Sequence, residues 1–310
     1  MTGYEASLAV MEEVKKVIIG KDDVVEKIMT AIISDGNILI DDIPGVGKTS
    51  MALAFSKAMS LDYNRVQFTP DVLPSDITGF TMLNKKTGEF EYKPGAVICN
   101  LFLADEINRT SSKTQSALLE AMEEQTVTVD SVTYELPEPF NVIATQNPVG
   151  SIGTHMLPES QLDRFMFCVS IGYPDLQAEA RLLKEKYTKN PLDTVKPIID
   201  TKGLSVIKEQ VKKVFVHDDI YMYIAKIAEC SRNIQDIELG ISPRGSVAIL
   251  RASQGQAYLR GRNYVTPEDV NDILLPVIRH RVIIGQRSRD NGLTSEIVVK
   301  MLIKGAAEKR

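Results

Sequence analysis

Four apolar residues, Leu101-Phe102-Leu103-Ala104, run directly into two adjacent acids, Asp105 and Glu106. Side by side at the end of a strand, one carboxylate could organise a divalent cation and the other polarise an attacking water, the pairing that phosphoryl transfer uses. A short unbroken apolar run suits a strand buried on both faces of a parallel sheet. The carboxyl ends of such strands are where open α/β sheets bind ligands. Taken alone, the two acids could equally close a strand in a solvated acidic turn.

A partner motif lies upstream in Asn37-Ile38-Leu39-Ile40-Asp41-Asp42-Ile43-Pro44-Gly45-Val46-Gly47-Lys48-Thr49, followed by Ser50 and the apolar stretch Met51-Ala52-Leu53-Ala54-Phe55. Strand, glycine-bearing turn and helix in that order are the context a phosphate-binding loop needs. Backbone N–H groups from Pro44-Gly45-Val46-Gly47 into Lys48, Thr49 and Ser50 would cradle phosphate oxygens at a helix N-terminus (proline itself gives only a carbonyl). Lys48 would reach the β- and γ-phosphates, and Thr49, with Asp105, would hold Mg²⁺, partly through water. Asp42 stands where the first Gly of such loops is usual, so the motif rests on its pairing with Asp105-Glu106.

Three further polar residues stand out. Asn147 closes the apolar run that ends Ala144-Thr145-Gln146-Asn147-Pro148. Beside the strand of Asp105 it would sit near a γ-phosphate, although Asn-Pro by itself reads as an ordinary turn. Arg164 precedes the last strand in Leu157-Pro158-Glu159-Ser160-Gln161-Leu162-Asp163-Arg164-Phe165, and locally it reads as half of a surface salt bridge. Arg244, in Ile241-Ser242-Pro243-Arg244-Gly245, falls on the first turn of a helix. A cation is disfavoured there, so an anionic partner or a tolerated surface position is expected.

The elements that must position these groups follow from periodicity. Helices are expected over 5–19 and 22–33, and strands over 38–40, 65–68, 101–104, 141–145 and 167–171. A helix over 114–124 carries Leu118, Leu119 and Met122 on a core-facing stripe. Five strands with helical crossovers predict an α/β fold with a doubly wound five-stranded parallel sheet of the P-loop NTPase kind. Two β-hairpin insertions interrupt it, near 76–94 and 126–136. Asn190-Pro191 and Lys196-Pro197 then mark a linker. Beyond it only helices are expected, with Ser242-Pro243 and Thr266-Pro267 as helix starts and Thr266 to Asp269 as a capping box. The division is 1–189 for the nucleotide-binding core and 190–310 for an α-helical lid.

Composition narrows the partners. The 310 residues are 44% hydrophobic and 25% charged, ordinary for a globular protein, and the net charge of −5 offers no basic field for nucleic acid. Cys99, Cys168 and Cys230 are scattered, as are His155, His217 and His280, so neither disulfides nor a metal centre beyond nucleotide-borne Mg²⁺ is expected. No transmembrane run or signal-peptide layout is read, which makes a cytoplasmic location the default.

Together these residues resemble the MoxR family of AAA+ ATPases, from Ile18-Ile19-Gly20 to Arg279-His280-Arg281. Four stretches carry the resemblance: Gln67-Phe68-Thr69-Pro70-Asp71-Val72-Leu73-Pro74-Ser75-Asp76-Ile77-Thr78-Gly79, Leu103-Ala104-Asp105-Glu106-Ile107-Asn108-Arg109, the stretch ending at Asn147-Pro148, and the stretch around Arg164. An acid at the Asp42 position is usual in that family. Gly95-Ala96-Val97-Ile98-Cys99-Asn100 and Thr154-His155-Met156-Leu157 depart from its pattern, outside the phosphate-contacting residues. The resemblance implies an ATPase that remodels protein complexes in a chaperone-like way. It implies Glu106 as water activator, Asn147 as first sensor, Arg164 as an arginine finger toward a neighbouring subunit, and Arg244 as second sensor. Ile19 and Gly20 would belong to the adenine pocket. A hexameric ring of identical chains, a partner with a von Willebrand factor A domain and a protein client are implied as well. The insertion near 76–94 would face the ring pore, and the one near 126–136 would precede the first sensor.

Two other classes compete. A nucleic-acid motor of the AAA+ type is disfavoured by the acidic balance. A GTP switch needs a base-reading Asn-Lys-x-Asp, and Asn84-Lys85-Lys86-Thr87 lacks the Asp and lies inside an insertion.

Overall fold

The computed structural model describes residues 1–147, 156–186 and 190–308. Its strands before the lid are β1 (Ile38–Asp41), β2 (Tyr63–Gln67), β3 (Gly79–Leu83), β4 (Phe90–Pro94), β5 (Leu101–Asp105), β6 (Thr126–Val129), β7 (Val132–Glu135), β8 (Asn141–Gln146) and β9 (Phe167–Val169). Five of them form one parallel sheet in the order β2-β5-β8-β1-β9. The register pairs Gln67 with Asp105, Ala104 with Ala144 and Asp41 with Gln146. The carboxyl ends of these strands therefore share one edge.

Each central strand is apolar because both its faces are covered. Ile38, Ile40, Leu103 and Ile143 pack with Val10, Ile28 and Phe55 of the helices Gly3–Lys15, Asp22–Ile33 and Lys48–Ala58. Leu39, Phe102, Ala104, Val142 and Ala144 face the other way, onto Leu118, Leu119 and Met122 of the Ser112–Glu124 helix. That stripe is core, as its spacing predicts.

Several boundaries differ from the sequence reading. The first helix ends at Lys15 instead of reaching residue 19; Val17, Ile18 and Ile19 form a buried turn closed by Gly20 at φ 73°. The second strand begins at Tyr63, two residues earlier than expected. The last strand stops at Val169, and just beyond it Ser170 Oγ and the N–H groups of Ile171 and Gly172 turn to the Asp42 side chain.

Both insertions are hairpins. β3 and β4 pair antiparallel after the short helix Pro74–Thr78, and β6 pairs β7 around Asp130 and Ser131, both at positive φ. Tyr92 of β4 stacks on Tyr134 of β7 with ring centroids 3.9 Å apart, joining the two insertions.

The segment expected as the lid contains the helices Thr201–Lys212, Asp218–Asn233, Pro243–Leu259, Pro267–Ile278 and Ser295–Glu308. The helix starts at Ser242 and Thr266 are capped as expected, Ser242 accepting from Gly245 N–H and Thr266 forming its box with Asp269. The expectation of helices alone is corrected. β10 (Ile237–Leu239) and β11 (Ile283–Ile284) pair antiparallel, because two chain passes that bury Ile237 and Ile284 must also satisfy their backbone groups.

The lid joins the core at the amino edge of the sheet. Lys208 bonds Asn141 of β8 at 2.9 Å and pairs with Asp35, which Lys212 also contacts. Gly255 packs closely on Thr30 and Ser34: a Cβ there would meet the Ser34 hydroxyl and crowd the Thr30 carbonyl. Arg281 donates all five of its N–H bonds: to the Asp163 carboxylate and to the carbonyls of Asp163, Phe165, Met166 and Val277. Among the described residues, no helix is long and apolar enough to cross a membrane.

Candidate active site

The turn after β1 is shaped for an anion. Gly45 and Gly47 have φ of 85° and 96°, a region that glycine enters without steric cost. Open space surrounds Gly45, and Gly47 caps the Lys48–Ala58 helix, whose first N–H groups have no partner inside the helix. Lys48 is buried, and its Nζ donates to the carbonyls of Asp42 and Gln146, the latter at 3.1 Å. Burial lowers the Lys48 ammonium from its ordinary range, against the pull of Asp42, Asp105, Asp41 and Glu106. A cation held by two carbonyls among four acids, over an open loop of helix-terminal N–H groups, fits a nucleotide's phosphates.

Asp42 has a structural task. Its carboxylate accepts from Ile43 N–H at 2.8 Å, Ser170 Oγ at 3.0 Å, Ile171 N–H at 2.5 Å and Gly172 N–H at 2.6 Å. Burial alone would raise this carboxyl; the bonds from Gly172, Ile43, Ser170 and Ile171 hold it below the usual carboxylate range. Asp42→Gly would restore the commoner loop sequence yet strand these donors. Buried unpaired donors cost roughly 1–3 kcal/mol each when unrelieved, so the expected result is a lower midpoint of thermal unfolding with nucleotide binding retained. The Asp42 contribution is present above its unfolded-state pKa and is lost as pH falls through the lower folded value. The wild-type advantage over Asp42→Gly should therefore shrink in acid, and a constant difference from neutral to acid pH would count against this account.

The two acids stand at the same edge. Asp105 Oδ1 accepts from Thr145 Oγ1 at 2.6 Å, and Oδ2 accepts from Arg65 Nη2 at 2.6 Å and Nε at 3.1 Å. Glu106 turns the chain at φ 57° and ψ 49°. Its Oε2 accepts from Gln67 Nε2 at 2.8 Å and Arg109 Nη1 at 2.7 Å. Asn147 directly follows β8, which lies beside β5, so the adjacency required of it is present; its carbonyl accepts from Asn108 Nδ2 at 3.3 Å. Ile18 packs toward Gly47, and Gly20 abuts Ala178 of the Leu176–Lys186 helix, which puts the turn of Ile19 and Gly20 beside the loop.

Arg164 and Arg244 lie elsewhere. Arg164 precedes β9, whose Phe167 pairs with Ile38 at the start of β1, while the phosphate loop follows the end of β1. Four residues of strand separate those edges by about 10 Å. Both arginines converge on Glu123. Arg164 Nη1 bonds Glu123 Oε2 at 3.0 Å and the Leu119 carbonyl at 2.8 Å, and Arg244 Nη2 pairs with Glu123 Oε1. The anionic partner expected for Arg244 is thus Glu123. With Gly36, Asn37, Met166 and Lys208 the arginines line a cavity of about 710 Å³ between the sheet's amino edge and the lid.

The sequence reading missed Arg65, Gln67, Arg109 and Thr145 as neighbours of the acids. Gln67 and Arg109 lay within the quoted stretches, but only the β2–β5 register and the turn at Glu106 bring them together. Pro148, Thr154 and His155, and the boundary at 189, lie outside the described residues. The three cysteines are free and buried, and burial pushes the Cys99 and Cys168 thiols up to about 12.

Comparison with known proteins finds matches over most of the chain. Residues 37–167 match the ATPase family associated with various cellular activities (AAA), and residues 230–301 match the AAA lid domain. The uncharacterized protein YeaC of Bacillus subtilis is 43% identical over 94% of this chain and 92% of its own. Chaperone MoxR1 of Mycobacterium tuberculosis is 35% identical over 95% of this chain and 80% of its own. A crystal structure from Cytophaga hutchinsonii, of a protein provisionally called an ATPase, superposes with a TM-score of 0.90 at 33% identity, over 98% of this chain and 94% of that one.

Proposed function

The chain belongs to the MoxR family of AAA+ ATPases, and we propose that it couples ATP hydrolysis to the remodelling of protein complexes as a ring of identical subunits. It binds and hydrolyses ATP. The assignments to single residues are our reading. Pro44, Gly45, Val46, Gly47 and Ser50 enclose the phosphates, Lys48 neutralises them, and Ile19 and Gly20 flank the adenine. Thr49 and Asp105 would hold Mg²⁺, which supplies charge neutralisation at the phosphates. Glu106 draws the proton from the attacking water, and Asn147 orients that water. The division at 189/190 into core and lid belongs to the same reading.

One observation carries the ring. Arg164 and Arg244 share Glu123 at the edge opposite the phosphate loop. Cations needed at a γ-phosphate, yet remote from their own chain's loop, suit the site of a neighbouring chain, and so we take both to act in trans. Six subunits is the number that the family resemblance favours. Exposed Phe80, Met82, Leu83 and Phe90 on the first hairpin support contact with a protein client. The relative named Chaperone MoxR1 supports a chaperone-like role. A von Willebrand factor A domain partner and a cytoplasmic location complete the proposal.

Nucleotide bound between subunits should stabilise the assembly, since it binds the assembled state preferentially. The expected result is a shift to a larger species on adding a slowly hydrolysed ATP analogue, read by mass measurement in solution. A strict monomer at about 50 μM chain, where micromolar contacts are populated, with analogue bound, would sink the ring.

A further inference from the structure

Thr145 joins the two acids. It is fully buried on β8, and its hydroxyl makes two bonds: Oγ1 donates to Asp105 Oδ1 at 2.6 Å and accepts from Glu106 N–H at 2.8 Å. A hydroxyl has one proton, and an ionised carboxylate can only accept. The proton is therefore committed to Asp105, which leaves a lone pair for Glu106. The β5–β8 ladder ends at Ala104 and Ala144, so the Thr145 side chain supplies the acceptor just where the backbone stops supplying one. It does so at the residue whose backbone enters the left-handed region, a conformation that costs a non-glycine residue free energy unless its surroundings hold it.

Packing alone does not call for this hydroxyl. Valine has the same shape and favours strands, whereas a buried hydroxyl is costly unless bonded. The same strand end also touches Lys48 through the Gln146 carbonyl and leads into Asn147.

We propose that Thr145 is a positioning residue for ATP hydrolysis: it orients Asp105 and fixes the turn that aims Glu106. The proposal rests on the reading of Asp105 as Mg²⁺ organiser and Glu106 as water activator.

The test compares Thr145→Val and Thr145→Ser in the full chain. Three quantities are read: ATP turnover, thermal unfolding, and the Mg²⁺ concentration that half-saturates binding of a fluorescent, slowly hydrolysed ATP analogue. Thr145→Val should lower kcat about tenfold, the scale of one or two lost hydrogen bonds, with KM little changed. It should also raise the Mg²⁺ midpoint several-fold without turnover being involved. Thr145→Ser, which keeps the hydroxyl and loses the methyl, should restore most of both. At saturating Mg²⁺, where the effect through Asp105 is masked, Thr145→Val should cost little further kcat in a Glu106→Gln background, because what remains of its effect acts through Glu106. Wild-type kcat and Mg²⁺ midpoint in Thr145→Val would overturn the proposal, and so would a Thr145→Ser variant as impaired as the valine one. Should the valine variant not fold, Thr145→Ala, which cannot crowd the site, carries the same expectations. If Glu106→Gln itself keeps normal turnover, the reading of the acids has failed; if only Thr145→Val does, Thr145 alone has been misassigned.

Discussion

Glu106→Gln should lower ATP turnover by about a hundredfold or more, the loss expected on removing a general base, and should leave nucleotide binding intact. The reasoning is local. Gln67 and Arg109 both donate to Oε2, and an amide oxygen in that place can still accept from them. The backbone turn is held by Thr145, which the substitution does not touch. Shape and fold should therefore survive, while the group that can take a proton from water is gone. Phosphate release measured beside the affinity for a fluorescent ATP analogue separates the two effects. A variant with near-normal turnover would remove Glu106 from the catalytic role. A variant that no longer binds would mean that Glu106 shapes the site more than it works on water.

The parts legible in the sequence are those that local physics determines. Leu101-Phe102-Leu103-Ala104 reads as a doubly covered strand because nothing polar interrupts it, and β5 lies inside the sheet, between β2 and β8. The glycines before Lys48 read as a phosphate loop because only such residues enter positive φ freely, and Gly45 and Gly47 both do. What the sequence hides are relations between distant segments. Arg65 meets Asp105, and Gln67 meets Glu106, through a register that no local pattern encodes. Asp42 looks like a departure from the loop motif until the carboxyl-terminal continuation of β9 is seen to depend on it. β10 and β11, three and two residues long, are too short for a period of two to register. The meeting of Arg164 with Arg244 depends on how the lid docks, which Arg281, Asp163 and Lys208 set from three separate elements. Ser242, the cap of the Arg244 helix, also donates to Asp163 at 2.8 Å, so the residue next to Arg164 anchors both arginines.

Arg164→Ala should bind ATP normally and hydrolyse it about a thousandfold more slowly, the scale of an arginine supplied in trans to phosphoryl transfer. The substitution removes one ion pair and one bond to the Leu119 carbonyl, while Glu123 keeps Arg244 as its partner. Partly exposed pairs of this kind contribute little to stability, so lost turnover cannot be charged to unfolding. The defect differs from that of Glu106→Gln in which side of the interface it damages. A subunit carrying Arg164→Ala still presents Glu106 to its own nucleotide, and a subunit carrying Glu106→Gln still presents Arg164 to its neighbour's. Mixing the two inactive variants under conditions of subunit exchange creates interfaces that hold one intact copy of each residue. ATPase rate against mixing ratio should rise from both ends and peak at intermediate composition. A flat line at the level of the separate variants would argue that both residues serve the same chain. Wild-type turnover in Arg164→Ala alone would return Arg164 to a salt bridge with Glu123, and would leave the arrangement of Arg164 and Arg244 at the far edge without a part in hydrolysis.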